Sequence, residues 1–196
     1  MITSLSPRQL GEALGVSESS LKRWANDGRI EVSRTAGGHR RIPLESAVRF
    51  IRQSGLPVVK PQLLGLPDLA HTSSPSTDSA TPLQSALESG RAAEARAIVL
   101  SAYLGGETIS SLCDGPIHSA MNRIGELWEH GDQGIFIEHR ATDICLQALN
   151  QVRGLLGPAP PGAPVAVGGA PATDPYALPS LMAATTLASR GWSEMN

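Results

Sequence analysis

The chain has 196 residues, a formal net charge of −2, 41% apolar residues and only 4% aromatic ones. That length holds one ordinary domain or two small ones with a buried core, and so few rings exclude an extended aromatic stacking surface. Twenty Gly and fifteen Pro point to linkers, and two distant cysteines, Cys113 and Cys145, exclude a disulfide framework or a cysteine-built zinc site.

The small net charge conceals an asymmetry. Residues 1–55 carry nine Lys/Arg and five Asp/Glu, a net of +4, and the remainder carries seven against thirteen, a net of −6. A basic head on an acidic body suits a protein whose head meets a polyanion. The opening Met1-Ile2-Thr3-Ser4 lacks a basic segment followed by an apolar run, so no signal peptide is expected. No stretch of about 20 apolar residues predicts a membrane span, and the cytoplasm is the expected location. Four pieces follow from composition: a head at 1–55, a flexible linker rich in Pro, Ser and Thr at 56–81, a helix-patterned region at 82–157, and a Pro/Gly hinge with mixed signals at 158–196.

Ser6-Pro7-Arg8-Gln9 predicts a helix start, with Ser6 as cap, Gln9 completing the capping box and Pro7 in the first turn. Leu10, Ala13 and Leu14 form its apolar face and Gly15 ends it. Ser17 caps a second helix with Leu21, Trp24 and Ala25 inward and Ser19, Ser20, Lys22 and Arg23 on the other side; Gly28 closes it. Two short helices about a Gly-containing turn describe a helix-turn-helix. From Ile30 to Ile42 two β-prone runs flank Gly37-Gly38, which is hairpin chemistry. Its tip and return carry Arg34, His39, Arg40 and Arg41, cations placed to follow a phosphate backbone or enter a minor groove. Pro43 opens a third helix with Leu44, Ala47, Val48 and Ile51 at helical spacing.

The run Arg34-Thr35-Ala36-Gly37-Gly38-His39-Arg40-Arg41, beside Ser17 to Trp24 and Leu5 to Leu14, resembles the MerR-type winged helix-turn-helix of bacterial transcription regulators over about the first 52 residues. The resemblance implies that Ser19, Ser20, Lys22 and Arg23 approach the major groove of double-stranded DNA or its phosphates. It also implies that Arg34, Thr35, His39, Arg40 and Arg41 make the wing contacts. His39 reads equally as a phosphate partner or a turn residue, and Trp24 reads as core rather than contact. One such domain reaches few bases, so a homodimer or larger homo-oligomer on a two-fold site is expected, with RNA polymerase as a further partner of a regulator.

Residues 83–104 predict two helical segments around Ser89-Gly90. A long helix then carries Leu112, Ile117, Met121, Ile124, Leu127 and Trp128, and a fourth runs from about Ile135 to Leu155. Four amphipathic segments with short breaks predict a four-helix bundle. Between the last two lies Trp128-x9-Glu138-His139, preceded by Ile124-Gly125-Glu126-Leu127. Read from the residues alone, Trp128 is core, Glu138 is an acid near a helix N-terminus and His139 is a surface neighbour. The spacing also resembles the helical cap of cobalamin-binding regulators that carry MerR-type heads. That resemblance implies that Trp128 shields the upper face of a corrin while Glu138 and His139 line the same cavity. Photoreceptor members carry a histidine directly after the tryptophan; here Glu129 stands there and His130 follows, so light-driven bis-histidine ligation is not implied.

Pro164 to Ala170 predicts a short strand, and Leu181 to Ser189 predicts a helix. The layout is similar to the first strand, loop and helix of a Rossmann-like cobalamin domain, whose acidic-x-His-x-x-Gly loop ligates cobalt from below. Asp174 keeps the acid, Tyr176 replaces the histidine and Pro179 replaces the glycine. Neutral tyrosine is a poor metal ligand, and no other metal set is visible. No second strand is expected, and a lone strand cannot make a parallel sheet, so 158–196 reads as a remnant, loosely docked or partly disordered.

The fold expected is mainly α: a winged helix-turn-helix head, a linker, a four-helix-bundle cap and an incomplete α/β remnant. The function expected is a sequence-specific transcription regulator whose second half resembles a cobalamin-sensing module and binds cobalamin weakly or not at all. The alternative is a functional cobalamin-responsive, even light-responsive, repressor, and an accessory protein to a corrinoid enzyme comes third. No nucleophile–base pair or phosphate loop supports catalysis, so the chain is not expected to be an enzyme.

Overall fold

The computed structural model describes residues 3–66, 80–126, 132–169, 171 and 177–195. They form two compact units, 1–71 with 104–106 and the rest of the chain, and the fold is mainly helical.

In the first unit, strand β1 (Ser4–Leu5) leads into α1 (Pro7–Leu14) and α2 (Glu18–Asn26); β2 (Ser33–Arg34) and β3 (Arg40–Pro43) then precede α3 (Leu44–Ser54). The expected capping box is present: Ser6 Oγ accepts from the Gln9 amide at 3.2 Å and Gln9 Oε1 accepts from the Ser6 amide at 2.8 Å. Gly15 closes α1 at φ 67°, a left-handed conformation that glycine adopts without steric cost. The strands are short and share one partner: β3 is central, antiparallel to both β1 and β2. Leu5, Leu10, Leu21, Ile30, Ile42 and Ile51 fill the core between this small sheet and the helices.

The sequence places residues 56–66 in a flexible linker; the structure packs them on the head. The Val59 and Lys60 amides both donate to the Ala13 carbonyl, and a 3₁₀ turn over Pro61–Leu64 buries Leu64 and Leu66. Two apolar anchors in an otherwise loop-like composition account for the difference. Residues 67–79 lie outside the described residues.

The second unit holds α4 (Ala80–Glu88), α5 (Ala92–Leu104), α6 (Ile109–Leu112), α7 (His118–Gly125) and α8 (Asp132–Arg153). The long third helix read from the sequence is interrupted: Cys113–Ile117 winds as one π turn containing Pro116. Proline has no amide proton to give to the preceding turn, and its ring needs a wider path there. Leu83, Leu87, Ala95, Leu100, Ile117, Ile124, Ala141, Ile144 and Leu149 form the bundle core.

After α8 come β4 (Val165–Val167), α9 (Leu178–Ala188) and β5 (Ser193–Met195). This corrects two expectations for the C-terminal piece. A second strand exists, since β5 runs parallel to β4 with Ala166 opposite Glu194. The described part of the piece is also docked: Leu178, Leu181, Ala184 and Thr185 of α9 are buried, and Arg153 of α8 pairs with the carboxylate of Glu194. The Gly191-Trp192 turn returns the chain to β4, with the Ser193 amide donating to the Pro164 carbonyl at 2.9 Å.

Gly90 joins α4 to α5 at φ 69°, where an added Cβ would sit 2.8 Å from the Arg140 guanidinium carbon. That guanidinium donates to the Glu88 carbonyl at the end of α4. Gly90→Ala is expected to cost about 1–2 kcal/mol from the left-handed backbone alone, and to lower the urea midpoint of the second unit's unfolding transition.

Candidate nucleic-acid interface and ligand cavity

The recognition-helix candidates lie on α2. Ser17 caps it, and its Oγ sits 2.8 Å from Ser19 Oγ and 3.0 Å from Ser20 Oγ. The two serine hydroxyls therefore form one exposed polar cluster with the cap. Lys22 is exposed but pairs with Glu18 at 2.8 Å, one turn back, and Arg23 is exposed on the same helix. Trp24 stays half-buried against Phe50, with ring centroids 5.2 Å apart. It therefore packs, as the sequence suggested.

The wing candidates occupy the β2–β3 hairpin. Thr35 organises its tip: the Thr35 amide donates to the His39 carbonyl at 2.9 Å, and Thr35 Oγ1 accepts from the His39 amide at 3.2 Å. Thr35 is thus a turn-builder as well as a candidate contact. Arg34, Gly37, Gly38 and His39 are exposed, and Arg41 is half-exposed on the strand. Arg40 donates to Asn26 Oδ1 at 2.7 Å. This bond ties the wing to the end of α2, so both candidate sets lie at one corner of the unit.

Sequence reasoning missed Asn26, since an amide at a helix end looks like an ordinary stop signal. It also missed Arg29, whose guanidinium lies 5.6 Å from the Trp24 ring centroid and 5.9 Å from that of Phe50. Stacking of that kind holds a cation in place. Arg29, Arg49 and Gln53 line a polar groove of about 340 Å³, in which Glu31 faces Arg49 at 3.6 Å.

In the second unit, Glu138 is buried at 6% exposure. Its Oε1 accepts from the Thr142 hydroxyl at 2.9 Å, and its Oε2 is buried without a hydrogen bond, 3.6 Å from Nε2 of the exposed His139. A buried oxygen with no donor costs about 1–3 kcal/mol. Glu138 and Thr142 share a cavity of about 350 Å³ with Met121 and Asn122 of α7 and with Leu178 and Pro179 of the first α9 turn. Trp128, Glu129, His130, Asp174 and Tyr176 lie outside the described residues. Among the described residues no group of three or more His, Cys, Asp or Glu side chains could hold a metal ion, and no helix is long and apolar enough to cross a membrane.

Residues 4–55 match the family model of a helix-turn-helix domain, and residues 80–153 match that of the B12 binding domain. The chain therefore joins a helix-turn-helix head to a B12-binding-like helical region. No curated protein matches it. The B12 match ends at the last residue of α8, so α9 and both strands of the C-terminal pair lie beyond it.

The geometry tests whether this region accommodates the cofactor. Sites for drug-sized ligands span about 300–1,000 Å³, and a corrin with its amide arms is larger than such a ligand. The Glu138 cavity stands near the lower bound, and its one unpartnered carboxylate oxygen is shut away from solvent. Among the described residues, Leu178 and Pro179 of α9 border this cavity on one side.

Cys113 and Cys145 are buried and belong to the packing, not to a site. Burial pushes the Cys113 thiol up to about 11, with Asp114 adding to the rise; burial and the neighbouring Cys113 push Cys145 up to about 12. Thiols that stay protonated are poor nucleophiles. A disulfide reagent at pH 8 is therefore expected to react with neither until the chain is unfolded in urea. Both folded-state values lie above the unfolded value of about 8.5, so the thiols leave stability unchanged below that pH and lower it as the pH climbs from there towards 11. Urea midpoints measured across that range check this.

Proposed function

We propose that this protein is a MerR-type, sequence-specific transcription regulator that binds two-fold DNA sites as a homodimer or larger homo-oligomer. The observation that carries the reading is the Arg40–Asn26 hydrogen bond, which locks the basic wing to the end of the second helix. With that tie, Ser19, Ser20, Lys22 and Arg23 engage the major groove or its phosphates, while Arg34, Thr35, His39, Arg40 and Arg41 follow the backbone beside it, Arg40 through donors that its bond to Asn26 leaves open. The protein acts by occupancy of DNA and contact with RNA polymerase, not by catalysis.

The second unit is the effector or assembly half. It derives from a cobalamin module and binds cobalamin weakly or not at all, a reading supported by the small cavity at Glu138 and by Tyr176 and Pro179 in place of the loop's histidine and glycine. A second reading, a working cobalamin-responsive repressor, is favoured by the match of residues 80–153 and by the buried Glu138. In that case Trp128, Glu138 and His139 would hold the cofactor, which would supply the ligand-dependent signal.

Two measurements decide these points. Fluorescence anisotropy with a duplex should show affinity falling steeply with salt. Arg40→Ala combined with Arg41→Ala should weaken binding to every sequence and reduce the salt slope by about two. Salt-independent affinity, or a double variant that binds like the parent, overturns the DNA reading. For the second unit, the protein is mixed in the dark with adenosylcobalamin or hydroxocobalamin and desalted. A colourless protein fraction is expected, and a retained corrinoid absorption band establishes the second reading instead.

A further inference from the structure

The groove beside Arg29 holds none of the recognition-helix or wing candidates. Gly28 and Arg29 border it at the end of α2, Ser46, Arg49 and Gln53 border it from α3, and Glu31 also lines it. The Arg29 amide donates to the Trp24 carbonyl at 2.9 Å, and the side chain folds back over the Trp24 and Phe50 rings. Stacking occupies the face of a guanidinium and leaves the N–H donors along its edge for an acceptor. No carboxylate lies within ion-pair distance of Arg29 among the described residues. Arg29 is thus a cation placed in advance with donors open, which suits an oxyanion.

Arg49, on α3, is less committed than its ion pair suggests. Its partner oxygen, Glu31 Oε2, is 3.6 Å away and also accepts from the Ser46 hydroxyl at 3.3 Å. The Arg49 and Glu31 side chains are 59% and 71% exposed. An ion pair in such contact with water contributes little, so a stronger anion takes its place readily.

We infer that Arg29 and Arg49 hold a backbone phosphate of the bound duplex, beyond those that α2 and the wing meet. Location favours DNA over a free anion. Arg29 follows Asn26 by three residues, and Asn26 receives Arg40 from the wing. A duplex lying on α2 and the wing passes that same end of α2, and each strand offers a phosphate about every 3.4 Å. Gln53, one turn beyond Arg49, adds a neutral donor to the groove. Glu31 is the brake on this contact, because it repels the phosphate and competes for Arg49. This inference rests on the DNA reading above and extends its set of contacts.

Fluorescence anisotropy of the full chain with a duplex, across a salt series, tests it. Arg29→Gln should weaken binding about tenfold and lower the salt slope by about one. Arg29→Lys keeps the charge without the planar stack and should retain the parent's slope. Glu31→Gln, which removes the repelling acid and frees Arg49, should bind severalfold more tightly. An unchanged circular dichroism spectrum confirms folding of each variant. Inorganic phosphate at constant ionic strength should leave the parent's affinity unchanged; competition that disappears in Arg29→Gln assigns the groove to a free anion and overturns the inference. Arg29→Gln with the parent's slope overturns it too. So do equal losses in the Gln and Lys variants, the sign of a stack that only joins α2 to α3. The two readings fail separately. A parent protein without salt-dependent affinity is a failure of the DNA reading. A slope that falls in the Arg40–Arg41 double variant but not in Arg29→Gln removes this inference alone.

Discussion

Two strands of three residues do not hold together in water on their own. The β4–β5 pair exists because the chain between the strands is an apolar helix clamped to α8. Helix α8 accordingly has two obligations. One side supplies Ala141, Ile144, Cys145, Ala148 and Leu149 to the bundle core; its last turn holds Arg153, which receives Glu194 from the sheet. The second unit depends on this double use of one helix. The same docking sets the cavity at Glu138, because Leu178 and Pro179 close it from the α9 side.

The head is governed by a different constraint. Its sheet is minimal, and the wing would be a loose two-residue ladder without a further tie. Arg40 supplies one by bonding to Asn26. A charge that the sequence offers only as a DNA contact therefore also positions the hairpin. This dual role is physically reasonable on an exposed surface, where a guanidinium has five N–H donors and one amide oxygen engages only part of them.

The two halves differ in how legible their sites are. In the head, local rules settle most of the geometry. The Ser6-x-x-Gln9 box, the Ser17 cap, the Gly37-Gly38 turn and Pro43 before the third helix each act within a few residues, and the structure places each where the pattern does. The second unit is less legible because its decisive contacts are remote. Glu138 is buried through packing against α7 and α9, whereas its local pattern reads equally as a surface acid. The π turn at Cys113–Ile117 follows from one proline inside an otherwise regular periodicity.

By itself the sequence determined the capped helices, the turn chemistry, the basic head on an acidic body and the four helical segments, since capping, periodicity and charge act over three to four residues. Only the tertiary structure decided that residues 56–66 belong to the head, that Ser193–Met195 pairs with Val165–Val167, and that Arg153 holds Glu194. The reason is distance along the chain. A strand of three residues or a pair of anchoring leucines carries no periodic signal, and its stability comes from partners about 10 to 50 positions away, which no local pattern encodes.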